Sequence, residues 1–273
     1  MRSPPPPAVL VVLIGLAGCR PSAAPENQAE PARNEAVVKA PLALPQPEPP
    51  LDRAAVLLAV IKARSAAATG GDDTELQAQL DGKRFEFRLP LGCAIAPPGE
   101  EGATVTYDPD QRRVELSVQA DAEMSDPVIA AAAADAYEAA EGFWIADPWL
   151  LVPHCAGAVP MVAAGGMSPA SAPRASGVAL VQFFTPQAPR TERRRGRPYE
   201  ARETLPEGSA PPPRGSWELV LTGRMQALAD KRLVACQAAG PGLPPACVVS
   251  VRFDGVAIEK RGSGERLAEW SGG

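Results

Sequence analysis

Proline placement constrains this chain more than any other feature. Eight prolines fall between residues 20 and 50, at positions 21, 25, 31, 41, 45, 47, 49 and 50, among Ala, Glu and Gln. Each fixes φ and removes a backbone donor, so neither a helix nor a central strand survives such a run. The segment also lacks apolar surface to bury, which leaves polyproline II or disorder. As a tether it reaches about 30 Å when coiled and up to ~95 Å when extended. Folding is confined to residues 51–273, enough for one generous domain or two small ones.

Ahead of the tether, Arg2 precedes an apolar run over residues 8–16. As a helix that run spans roughly 13 Å, under half of a ~30 Å hydrocarbon core, which suits a signal-peptide segment rather than a membrane span. It leads into Leu16-Ala17-Gly18-Cys19, which resembles the lipobox of bacterial lipoproteins. The resemblance covers about the first 20 residues. It implies a signal peptide over residues 1–18, and a Cys19 carrying thioether-linked diacylglycerol and an acylated amine. Such a group anchors stably, because it brings more than one chain to the bilayer. Arg20 follows the cysteine where an aspartate retains lipoproteins at the inner membrane in the best-studied sorting systems, so the outer membrane of a Gram-negative envelope is favoured. Residues 19–50 are then the lipidated cysteine and its tether, with the domain facing the periplasm.

Four other cysteines remain: Cys93, Cys155, Cys236 and Cys247. An exported domain folds in an oxidising compartment, and four cysteines permit three pairings. Proximity favours Cys236–Cys247 across a Gly/Pro-rich turn, which leaves Cys93–Cys155. No Cys-x-x-Cys occurs and His154 is the single histidine, so a metal site is not expected.

The folded region reads as mainly β with one or two helices, an α+β antiparallel barrel or sandwich whose C-terminal part could take an OB-like form. Asp52 caps a helix over 53–67, with Val56, Leu57, Val60 and Ile61 on one face. Residues 83–89 alternate as a strand with Phe85, Phe87 and Leu89 inward. A hairpin turns at Asp108-Pro109-Asp110. Ser125 caps a second, Ala-rich helix that Gly142 stops. Strands follow at 177–184, 217–225, 232–236, 247–254 and 256–260, with a last one ending at Trp270. Residues 156–176 and 186–215 read as long loops.

Four features of the sequence bear on chemistry. The stretch "FWIADPWLLVPHC", residues 143–155, puts His154 beside Cys155 and suggests a Cys–His nucleophile. Neighbours in a strand point to opposite faces, however, and a disulfide cysteine next to an incidental histidine is the simpler expectation. Asp72-Asp73, Glu100-Glu101 and Asp108/Asp110 sit in turns, where Asp serves local hydrogen bonds. No Gly-x-Ser-x-Gly elbow, His-Glu-x-x-His or phosphate-binding glycine loop is present. The run Arg190, Arg193, Arg194, Arg195 and Arg197 can fork onto phosphate or carboxylate. Only five of the 27 Lys and Arg residues are lysine, which discounts an arginine-rich run as a signal. The mild net charge of −5 implies no polyanion partner, and nucleic acid is not expected. The expectation is a lipid-anchored envelope module, structural or binding, without cofactor or catalytic residues. Its partners would be the membrane, through the lipid, and an envelope protein or anionic glycolipid. The alternative is a periplasmic hydrolase with its site near residues 144–155.

Overall fold

The computed structural model describes residues 48–93, 102–146, 148–155, 177–188, 193–238 and 243–272. Cys19, the tether up to residue 47, Arg190, Glu100-Glu101 and the 156–176 connection lie outside them.

The domain opens with Leu51, which bridges to Phe85 beside the first strand. Asp52 then caps α1 (Arg53–Thr69), its Oδ1 accepting from the Ala55 N–H at 2.8 Å. Val56, Leu57 and Val60 are buried as expected, while Ile61 is exposed, because the buried stripe is centred on positions 53, 56, 60 and 63 and Ile61 falls on its flank. A short α2 (Thr74–Leu80) that the sequence pattern does not announce follows. It is held by buried Gln77, whose Oε1 accepts from the Leu233 and Val234 N–H groups at 2.7 and 2.9 Å.

The remaining elements are β1 (Arg84–Leu91), β2 (Ala103–Asp108), β3 (Arg113–Val118), β4 (Ala122–Glu123), α3 (Pro127–Ala133), β5 (Ala139–Trp144), β6 (Val178–Phe184), β7 (Tyr199–Thr204), β8 (Trp217–Met225), β9 (Val234–Gln237), β10 (Ala246–Lys260) and β11 (Arg266–Ser271). Among the described residues the protein is mainly β with three α-helices, and its sheets are open, so of the two expected architectures it is the sandwich. The larger sheet runs β1-β8-β10-β6-β5-β4, with β9 and β11 also paired to β10. The smaller runs β2-β3-β7. Pairing is antiparallel except for β6 against β10, so the larger sheet is mixed. One apolar core joins Phe85, Phe87 and Leu180 of the larger sheet to Leu116 and Tyr199 of the smaller. A second, alanine-rich core lies under α3, between Ile129 and the opposite faces of β6 and β10. Those two strands are buried on both sides, which is why they read as continuous apolar runs.

Three expectations are corrected. The Ala-rich helix spans only Pro127–Ala133, and Asp126, not Ser125, caps it through the Val128 N–H at 2.9 Å. Residues 139–141, assigned to that helix, open β5 instead, and Gly142 lies inside the strand rather than at a helix end. The intended strands 247–254 and 256–260 are one strand, β10, with a bulge between Phe253 and Gly255. Asp254-Gly255 carries a turn signature, yet here it bulges a continuous strand that pairs with β8 on both sides, with β6 before the bulge and β11 after it. Finally, residues 199–204 of the supposed 186–215 loop form β7, which pairs with β3.

An ion network crosses four strands on the outer side of the larger sheet. Glu218 and Glu259 stand directly opposite each other on β8 and β10, both buried. Arg88 of β1 reaches both, at 2.5 and 3.2 Å, and Arg266 of β11 meets Glu259 at 3.1 Å. Burial works against the charge on Arg88, but Glu86 and Glu218 outweigh it and hold its pKa above the ordinary value. Arg88→Ala leaves two opposed carboxylates without their shared cation. After allowance for solvent at the half-buried arginine, the expected cost is about 2 kcal/mol in urea unfolding. Adding Glu218→Gln should restore part of it. A single variant as stable as wild type would refute the bridging role.

Candidate functional site

Residues 193–197 of the arginine run fold into a turn built on a glutamate from β5. Glu141 accepts from the backbone N–H of Arg194 at 2.9 Å and of Arg195 at 2.8 Å, so one carboxylate holds two successive donors. Arg195 has φ 54°, and the Arg197 N–H returns to the Arg194 carbonyl at 3.2 Å. The side chains then divide. Arg193 pairs with Glu138 and lies over the Phe184 ring at 5.1 Å. Arg194 donates to the Arg197 and Pro198 carbonyls at 3.0 and 2.6 Å, and stacks on Tyr199 at 4.1 Å and Trp270 at 5.7 Å. Both are part of the structure. Arg195 and Arg197 are exposed and are the cations the turn presents to solvent, although Arg197 also donates from Nε to the Arg194 carbonyl at 3.2 Å. Of the four arginines of the run that are described, two are thus presented to solvent. Glu203 of β7 does not hold the turn: it pairs with Lys260 at 2.7 Å and accepts from the Trp217 indole N–H at 2.8 Å.

Beside the turn lies a cleft of about 160 Å³, lined by Phe143, Gln182, Arg197, Tyr199, Phe253 and Trp270 among others. Its wall is a chain of ring contacts: Trp270–Tyr199 at 5.0 Å, Tyr199–Phe143 at 5.8 Å and Phe143–Phe253 at 5.8 Å. An open groove of about 510 Å³ runs on from it between residues 123–125 and Arg193 and Arg195. An aromatic wall with a cationic rim can hold a small group that is apolar on one side and anionic on the other. Burial pushes the Tyr199 hydroxyl up from 10.0 to about 12, with the Arg194 charge opposing and the Glu141 charge adding to the shift. A raised folded-state pKa means that the unfolded chain releases this proton first. Stability should therefore decline as pH rises from 10.0 to about 12, by on the order of 2 kcal/mol. Chemical unfolding across that range should show a shallower decline in Tyr199→Phe. An identical slope would sink the assignment.

The stretch 143–155 is pinned at its end by a disulfide. Cys155 is bonded to Cys93, and Cys236 to Cys247, the pairing that sequence proximity favours. Cys236 and Cys247 are register partners on β9 and β10. His154 is exposed beside the bonded Cys155. Trp144 is half-buried, whereas Trp149 is exposed. Asp72 and Asp108 serve local backbone and hydroxyl donors, as turn aspartates do. Among the described residues no three of His, Cys, Asp and Glu gather as a metal site, and no helix is long and apolar enough to cross a membrane. No protein-family model, no curated protein and no solved structure matches the chain.

Proposed function

We propose that the chain is a lipid-anchored cell-envelope protein whose domain is a non-enzymatic binding or structural module. One observation carries the reading: every cysteine of residues 51–273 is consumed in a disulfide. Two such bridges persist in an exported domain and not in a reducing cytosol. Cys19 is then the single thiol left over, preceded by Leu16-Ala17-Gly18. The thiol that a Cys–His hydrolase would need at Cys155 is spent on Cys93, which favours the binding role.

Within that role the cleft beside Arg195 and Arg197 is the contact surface, and an anionic glycolipid head group or an acidic patch of an envelope protein is the chemistry it suits. The test is metabolic labelling of producing cells with an alkyne fatty acid. Wild type should take the label at its N-terminal peptide, and Cys19→Ser should lose it. Unlabelled wild type would end the anchor reading. For the cleft, Arg195→Ala with Arg197→Ala should weaken salt-sensitive crosslinking to envelope components while leaving the melting temperature unchanged. Unaltered crosslinking would remove the cleft from the proposal.

A further inference from the structure

We infer that the loop bearing Trp149, Leu151 and Val152 is a membrane-docking tip that rests in the interface of the bilayer holding the lipid anchor. The inference rests on the anchor reading above.

The first ground is exposure. Trp149 is 63% exposed, Leu151 37% and Val152 71%, three large apolar side chains within four residues. The second is rigidity. Buried Arg53 donates from Nε to the Leu150 carbonyl at 2.8 Å and from a terminal nitrogen to the Ala146 carbonyl at 3.0 Å. Arg261 donates to the Pro153 carbonyl at 2.5 Å, and the Cys93–Cys155 bridge closes the far end. The loop's carbonyls are tied inward while its apolar side chains point out. A tip held in its docked form loses little conformational entropy on binding.

The third ground identifies the occupant. The tether joins the domain at residues 48–52, where the Leu51 N–H donates to the Arg84 carbonyl at 2.8 Å. Arg53, the first residue of α1, is one of the residues that clamp the loop. The attachment point and the apolar tip are therefore one arginine side chain apart. The segment between Cys19 and the domain covers about 30 Å as a coil. It delivers that end of the domain to the bilayer at an effective concentration in the millimolar range, so even weak insertion is populated. Tryptophan suits the water–lipid boundary, having an apolar body and a polar N–H. With a net charge of −5, attraction to anionic lipid is not the driving force, and docking depends on apolar insertion.

The test uses the full lipidated chain in vesicles of phosphatidylethanolamine and phosphatidylglycerol, some with brominated acyl chains. Mass spectrometry of the N-terminal peptide first establishes the lipid. Its absence would remove the anchor reading and this inference together. With the lipid present, brominated vesicles should quench wild-type tryptophan emission, and Trp149→Phe should lose most of the quenched component. Val152→Asp keeps Trp149 as the probe and should lower that component several-fold, while flotation with the vesicles persists through Cys19. Equal quenching in wild type and Val152→Asp would overturn docking, as would no quenching in wild type. So would protection of Trp149 from acrylamide in detergent together with crosslinks between copies through residue 152, because a second copy would then be the occupant. Crosslinks from residue 152 to another envelope protein, with lipid quenching absent, would overturn it equally.

Discussion

Replacing Cys93 and Cys155 together by serine should cost about 4 kcal/mol and lower the thermal midpoint by about 10 °C. The bridge spans a sequence separation of 62, and closing so long a loop removes many conformations from the unfolded chain. In the folded state it ties the end of β1 to the turn after β5. Cys236–Cys247 spans only 11 and joins strands already in register, so its loss should cost less, about 3 kcal/mol by the same reasoning. A domain of this size has about 5–15 kcal/mol in all, and its second core is largely alanine, so the long bridge is a sizeable share. Calorimetry and guanidinium unfolding of both double variants give the order of the two losses. A Cys93→Ser/Cys155→Ser protein melting within about 2 °C of wild type would contradict it. Gly215 supplies an independent check. A Cβ there would sit 2.3 Å from the Cys155 sulfur, at a φ of +72°. Gly215→Ala should therefore leave alkylatable thiols at residues 93 and 155.

Gly142→Ala should destabilise by about 3 kcal/mol or more. A Cβ at residue 142 would lie 2.1 Å from the Leu180 carbonyl oxygen and 2.8 Å from the Val181 Cα. Both are backbone atoms of β6, so no rotamer change relieves the clash, and β5 must move off its partner. Gly142 is paired with Val181 on one side and Ala122 on the other, so the displacement spreads to both ladders. Urea unfolding measures the cost. Hydrogen exchange should show the amides of β4 and β5 losing protection before those of β8. A Gly142→Ala protein within about 1 kcal/mol of wild type would mean that the strands are not in this close contact.

That glycine also marks where sequence reasoning failed. Elements whose signals are local were legible: α1 from Asp52 and its apolar stripe, β1 from the alternation of Phe85, Phe87 and Leu89, and the β2–β3 hairpin from Asp108-Pro109-Asp110. Residues 127–141 carry an equally strong local signal, alanine's helix propensity, but it is a weak term that tertiary contacts override. β6 must pair along a free edge, and residues 139–144 fill it. Asp254-Gly255 has the residues of a turn, but the extended chain on either side finds partners in two neighbourhoods, so a bulge replaces the turn. β7 was hidden among Pro, Arg and Glu because its apolar content is Tyr199 and Ala201 alone.

The candidate site divides along the same line. The arginine run was visible because charge is a property of residue type, and Cys236–Cys247 because its two members are close in the chain. That Arg193 and Arg194 are spent on Glu138, backbone carbonyls and the rings of Phe184, Tyr199 and Trp270, leaving Arg195 and Arg197 at the surface, follows from strands far apart in sequence. The amino-acid order by itself determined the β-rich class, the first helix, the hairpin and the choice of cysteine partners, all set by interactions within a few residues or by simple proximity. Tertiary structure alone decided which arginines reach the surface, which glycine admits a neighbouring strand and which tryptophan is left exposed on the domain. Those outcomes depend on register between distant strands, which no local pattern encodes.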